Sequence, residues 1–140
     1  MNAFFWEKRI FQPEGIEIRQ SSLHGNGVFA IKEFKKGDTI EIAPVILVPV
    51  EEKALLQTTS LFSYYFLINN AEIPIAVGLG YTSLYKHAYQ ANAGYGISLR
   101  EALITIKACR PILLNDEIVL NYNGSPDDET PVYFPPDVAG

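Results

Sequence analysis

The 140-residue sequence predicts a mostly β fold of short strands with little helix. Apolar and polar residues alternate with a period of two in several runs, Ile16-Glu17-Ile18-Arg19 and Ile118-Val119-Leu120-Asn121-Tyr122 among them. Gly, Pro, Asn and Asp interrupt the chain every few residues, too often for long helices. Only Glu51–Thr58 has helix-forming composition without a breaker, and it is short.

In order, Ile16–Arg19 is expected as a strand, Ser21–Gly27 as a turn-rich loop and Val28–Ile31 as a second strand. Phe34–Asp38 is a turn with its lysines on a solvated face. Thr39–Val48 reads as one or two strands interrupted at Pro44, as at an edge or a bend. Leu61–Ile68 is aromatic and apolar, and is expected as a strand buried on both faces. Tyr64 and Tyr65 then point to opposite sides, and one of them can line a pocket. Ile73–Val77 and the glycines that follow lead into Ser83–Ala93, too polar and irregular for a clean strand or helix. Ala93–Ser98 and Ala102–Ala108 form a strand pair. Asn115-Asp116 is turn chemistry, since both side chains bond nearby backbone and tolerate left-handed geometry. The strand that follows ends in Asn121-Tyr122-Asn123-Gly124. Pro126–Pro136 is a proline- and acid-rich tail whose Tyr133 and Phe134 suit it to cover core surface. With no internal repeat and no boundary, residues 1–140 read as one domain, its core spanning about 17–124.

A chain of this length buries roughly two-thirds of its unfolded surface, and at 48% hydrophobic residues it is a folded chain rather than a disordered one. The net charge of −5 argues against direct nucleic-acid binding and favours basic partners. After Arg110 there are six carboxylates (Asp116, Glu117, Asp127, Asp128, Glu129, Asp137) and no Lys or Arg. They form either a solvated acidic tail or a rim that attracts a lysine-rich peptide. Cys109 is the only cysteine, so neither a disulfide nor a cysteine-based zinc site is expected, and no metal is assigned. That usage points to an intracellular protein. At the N-terminus the apolar patch precedes the charges, the reverse of a secretory signal. Ile42–Val50 is too short to span a bilayer and contains Pro44 and Pro49, so no membrane segment is expected.

Two places carry possible chemistry. Tyr122, at a strand end, keeps its ring packed and its hydroxyl within reach of a pocket, although a core tyrosine with a satisfied hydroxyl has the same pattern. In His24-Gly25-Asn26-Gly27, two glycines flank one residue, which lets backbone pass close to a ligand or simply makes a hairpin turn. No helical pattern follows, which excludes a dinucleotide or P-loop site.

Three segments in this order resemble the SET-domain family of protein-lysine methyltransferases. The first is His24–Ala30 followed by Lys36-Gly37-Asp38-Thr39-Ile40. The second is Leu84-Tyr85-Lys86-His87-Ala88-Tyr89-Gln90-Ala91-Asn92-Ala93, where the family has Asn-His-Ser and then Pro-Asn. The third is Ala108–Gly124, where the family has its acidic turn, a strand and the catalytic tyrosine. The resemblance implies several short β-sheets with a C-terminal pseudoknot, S-adenosylmethionine on one side, and a substrate lysine entering a narrow channel from the other. It makes Tyr122 the catalytic tyrosine and puts Gly25, Asn26, Gly27, Lys86 and His87 at the cofactor. Tyr64 becomes a candidate channel wall, with Tyr133 and Phe134 as a possible C-terminal lid.

What the resemblance implies is a protein-lysine methyltransferase acting on a lysine-containing basic protein or peptide, as a monomer or homodimer. Its location would be cytoplasmic, or nuclear in a eukaryote. A lysine amine, with a pKa of about 10.4, must lose its proton to attack a methyl group, and a poorly hydrated aromatic channel favours the neutral form. The sequence departs from the family at Ala88, Ala91 and above all Lys86, which puts a cation where the family has a neutral amide. A cation beside a cationic cofactor is expected to weaken its binding. The alternative reading is therefore a SET-like fold, weak or inactive in catalysis, that binds proteins or peptides.

Overall fold

Nine strands join into one mixed sheet in the computed structural model, which describes residues 13–125 and 127–129. They are β1 (Ile16–Gln20), β2 (Asn26–Ala30), β3 (Thr39–Val48), β4 (Tyr65–Leu67), β5 (Ile75–Gly78), β6 (Lys86–His87), β7 (Ala93–Ser98), β8 (Leu103–Ala108) and β9 (Glu117–Leu120). The order across the sheet is β1-β2-β9-β7-β8-β3-β5-β4, with β6 also paired to β9. Helix is limited to one turn, α1 (Lys53–Leu56), preceded by a 3-10 turn at Val50–Glu52, a shorter form of the helix expected over Glu51–Thr58.

The alternation seen in the sequence sets which side chains the sheet buries. Val28 and Ala30 of β2, Ile104 and Ile106 of β8, and Ile118 and Leu120 of β9 are all fully enclosed in one core. Each buried Val, Leu or Ile contributes about 1.5–3 kcal/mol. The long strand β3 changes partners at Pro44: Thr39–Pro44 pair with β8, with a register shift between Thr39 and Glu41, and Val45–Val48 pair with β5. Proline lacks the N–H that an uninterrupted ladder needs, so a change of partner there costs no hydrogen bond.

β9 has β2 antiparallel and then β6 parallel along one edge, and β7 parallel on the other, with Leu120 paired to both His87 and Ala93. The C-terminal strand is thus threaded between earlier segments, the pseudoknot anticipated above. The turn feeding it has the chemistry expected of Asn115-Asp116. Asn115 is left-handed (φ 74°), and the Asp116 carboxylate accepts from the Leu113 N–H at 2.9 Å. On the edge where β7 pairs only at Leu120, the Asn92 amide continues the bonding of β9. It donates to the Glu117 carbonyl at 2.8 Å and accepts from the Val119 N–H at 2.9 Å. A buried strand edge needs such partners, and here one side chain supplies two.

Two expectations change. Leu61–Ile68 is not one strand buried on both faces: Ser60–Ser63 form a 3-10 turn, and only Tyr65–Leu67 is extended. β4 pairs with β5 alone and lies at the end of the sheet, which leaves Leu67 65% exposed. Within Ser83–Ala93, read as irregular, Lys86–His87 makes a two-residue parallel pairing, too short to show periodicity.

Candidate active site

Tyr122 sits just past the end of β9, in a turn closed by the Gly124 N–H donating to the Asn121 carbonyl. Two residues that flank Lys86 hold it. Its backbone N–H donates to His87 Nδ1 at 3.0 Å, and its hydroxyl donates to the Tyr85 carbonyl at 2.6 Å. The His87 and Tyr122 rings lie 5.1 Å apart. With its proton donated to a carbonyl, the hydroxyl can meet a further donor only as an acceptor. Burial, then Tyr64 and Glu117, push its pKa well above the usual tyrosine value, so it works as a neutral hydroxyl and not as a phenolate base. Accepting at Nδ1 requires a neutral His87, and burial lowers that imidazole's pKa accordingly.

Tyr122 faces a cavity of about 370 Å³ whose walls include Tyr64, Tyr65, Phe66, Tyr85 and Tyr95. Because Tyr64 stands outside β4, strict strand alternation does not separate it from Tyr65, and both rings reach the cavity. The Phe66 and Tyr95 rings stack at 4.8 Å, joining the edge strand β4 to β7. A narrow aromatic space suits an alkyl amine: it removes water from the stem and attracts a methylated ammonium by its ring faces.

The glycine segment lies elsewhere, and it is not all loop: Gly25 closes the turn after β1, while Asn26 and Gly27 already belong to β2, paired with Gln20 and Arg19. Gly25 is left-handed (φ 52°), Asn26 is exposed, and Gly27 is buried. A Cβ at Gly27 would meet the Glu117 carboxylate, which would have to move aside. Glu117 accepts from the Ser21 hydroxyl at 2.8 and 2.9 Å. Lys86 pairs with Val119, which puts its side chain on the face of β9 that carries Glu117. The residue is only 4% exposed. Burial lowers the pKa of its ammonium, and the Glu117 carboxylate pushes it back up.

The expected site residues thus fall into two groups. Tyr64 and Tyr122 share the cavity, with His87 behind Tyr122; Gly27 and Lys86 lie on the side of Glu117, with Gly25 in the turn and Asn26 at the start of β2 beside them. Tyr133 and Phe134 lie outside the described residues. Glu117 had been counted only among the acidic rim, yet it is half-buried and bonded. Tyr85 and Glu41 had been given no role. A lone carboxylate inside the apolar run Thr39–Val48 was the available signal for Glu41. Among the described residues, no group of three or more His, Cys, Asp or Glu side chains could hold a metal ion, and no helix is long and apolar enough to cross a membrane.

Comparison with known proteins bears on the family and the fold. The SET domain family matches residues 25–123. A Schizosaccharomyces pombe histone-lysine N-methyltransferase, specific for H3 lysine-37, is 31% identical over 108 residues, covering 76% of this chain and 72% of that protein. A Plasmodium falciparum crystal structure described as a histone methyltransferase is 30% identical with a TM-score of 0.64, covering 80% of this chain and 96% of that one. The Polycomb Repressive Complex 2 of Chaetomium thermophilum, bound to S-adenosylmethionine, shares the fold (TM-score 0.66, 22% identity). That match covers 79% of this chain and 15% of that one.

Proposed function

The chain belongs to the SET-domain family, and from that premise we propose that it is an S-adenosylmethionine-dependent methyltransferase of lysine side chains in basic proteins. Histone tails are the first substrate class to test, because two relatives matched over most of their own length are described as histone methyltransferases. A histone substrate would place its work in the nucleus. The observation that carries the reading is Tyr122: a neutral hydroxyl, held at both ends and open to an aromatic cavity that also contains Tyr64.

The residues on the loop side fit the cofactor. Gly25 offers exposed backbone without a side chain, and Gly27 stands where a Cβ would meet the Glu117 carboxylate. Lys86 is not a lone cation there: burial lowers its pKa, and the Glu117 carboxylate on the same face raises it in part. An opposite charge nearby reduces the repulsion that a cationic ligand would meet, which weakens the main reason for reading the chain as an inactive binding module. When bound, the cofactor supplies an electrophilic methyl group on a sulfonium. Tyr122 accepts a hydrogen bond from the substrate amine and fixes its lone pair in one direction. Tyr64, Tyr65 and Tyr95 exclude water, which favours the uncharged amine. Acidic residues outside the cavity draw in a basic peptide.

The test is direct. Purified protein with labelled S-adenosylmethionine and histone tail peptides should add methyl groups to lysine, read by mass spectrometry, and calorimetry should show cofactor binding. Peptide binding without transfer, in protein that binds the cofactor, would establish the binding-module reading instead.

A further inference from the structure

Behind Tyr122 stands a buried carboxylate that the proposed reaction leaves without a role. Glu41 is 3% exposed, in the middle of β3, and follows an irregularity in the β3–β8 register at Thr39/Glu41. Both of its oxygens are engaged. Oε1 accepts from the Tyr85 hydroxyl at 2.8 Å, and Oε2 accepts from the Tyr81 N–H at 2.9 Å. The turn before Tyr81 is shaped to admit it: Gly80 is left-handed (φ 62°), and a Cβ there would sit 2.5 Å from Oε2. Burying a carboxylate costs several kcal/mol unless its hydrogen bonds offset it, and an apolar residue would fill the same strand position without that cost. Core filling therefore does not account for it.

Its position in the network suggests what does. Tyr85, 1% exposed, directly precedes β6, and its carbonyl holds the Tyr122 hydroxyl. The connection runs from β3 through Glu41 and the Tyr85 side chain to the Tyr85 backbone, and from there to the Tyr122 hydroxyl. We propose that Glu41 is a positioning residue: by fixing Tyr85, it sets the direction in which Tyr122 presents its oxygen to the substrate amine. The inference rests on the reading of Tyr122 as the group that contacts the amine. Glutamine at 41 has one acceptor oxygen, so it satisfies only one of the two donors and turns an amide N–H toward the other. Phenylalanine at 85 keeps the ring and removes its bond to Glu41.

Steady-state kinetics and tyrosine NMR test the idea together. Glu41→Gln and Tyr85→Phe should each lower kcat about ten- to a hundredfold, the size of effect that a displaced reacting group produces. In Glu41→Gln, peptide KM and cofactor Kd should stay within about twofold, since Glu41 does not line the cavity; Tyr85 does, so Tyr85→Phe is read by kcat and by the Tyr122 resonance. In a Tyr122→Phe background, Glu41→Gln should cost less than about a further twofold, because the group it acts through is gone. Equal losses in both backgrounds, or a loss confined to KM, would leave Glu41 with a structural role only. The second readout needs no turnover. With tyrosines labelled at ¹³Cζ, the Tyr122 resonance should move in Glu41→Gln while that of Tyr65 stays. An unmoved Tyr122 resonance in the folded variant overturns the inference. Absence of transfer by wild type, with that resonance still moving, counts against the proposed reaction and not against the network. Should Glu41→Gln fail to fold, Tyr85→Phe carries the double-variant and resonance tests, in which a retained loss beside Tyr122→Phe or an unmoved Tyr122 resonance overturns the inference.

Discussion

The two halves of the candidate site are built on different principles. The cavity half is made of side chains brought from β4, β7 and the ends of β6 and β9, and it is aromatic, with neutral hydroxyls inside. The loop half is made of backbone and two opposite charges on one face: Gly25–Gly27, then Glu117, bonded by Ser21, and Lys86. An aromatic cavity selects by shape and dehydration, so it suits one alkyl amine. A glycine segment beside opposite charges suits a polar ligand bearing charges of both signs. β9 separates the halves, with Glu117 at its start and Tyr122 just past its end.

If that division of labour is right, substitutions in one half should leave the other half's ligand alone. The largest effect is expected at Tyr122→Phe, which keeps the ring and removes the hydroxyl. Single-turnover transfer should fall about a hundredfold or more, the usual scale for losing a polar group at the reacting centre. Cofactor affinity measured by calorimetry should hardly change, and an equal loss in both quantities would show that the halves are not separate.

Next in size is Gly27→Ala, which forces a Cβ against the Glu117 carboxylate. Cofactor Kd should rise about tenfold, corresponding to 1.4 kcal/mol. Binding of a lysine peptide in the absence of cofactor should persist, and parallel loss of both would mean a general unfolding of β2 and β9.

Lys86→Asn is a smaller change with the opposite sign. S-adenosylmethionine carries a sulfonium and an α-ammonium against one carboxylate. Removing the Lys86 cation leaves Glu117 uncompensated beside that net positive charge. Roughly 1 kcal/mol of added attraction tightens binding about fivefold, and salt should erode the gain. Weaker binding in the variant would make Lys86 a direct ligand of the cofactor.

The smallest effect concerns pH. Burial lowers the His87 pKa below its ordinary 6.5, so the unfolded chain takes up that proton first as pH falls. The stability contributed by neutral His87 is complete above 6.5 and is lost as pH drops through the folded-state value. Thermal unfolding midpoints of wild type at pH 7.5 and 5.5 should differ more than those of His87→Asn. Identical differences would mean that the bond to the Tyr122 N–H does not matter to stability.

The sequence by itself determined the strands, the Asn115-Asp116 turn, the family resemblance and the place of Tyr122, because these depend on neighbours within a few residues. A period of two, or an Asx turn, is fixed by local geometry and is therefore written locally. The same locality explains the errors. Leu61–Ile68 has the composition of a buried strand, and only its position at the sheet edge reveals that Leu67 faces solvent. Tertiary structure alone decided that Glu117 lies near Lys86, that Asn92 continues the bonding of β9, and that Glu41 bonds Tyr85 across a separation of 44 residues. A carboxylate's partner is whichever donor the fold brings within about 3 Å, and chain order carries no record of that until the strands are placed side by side.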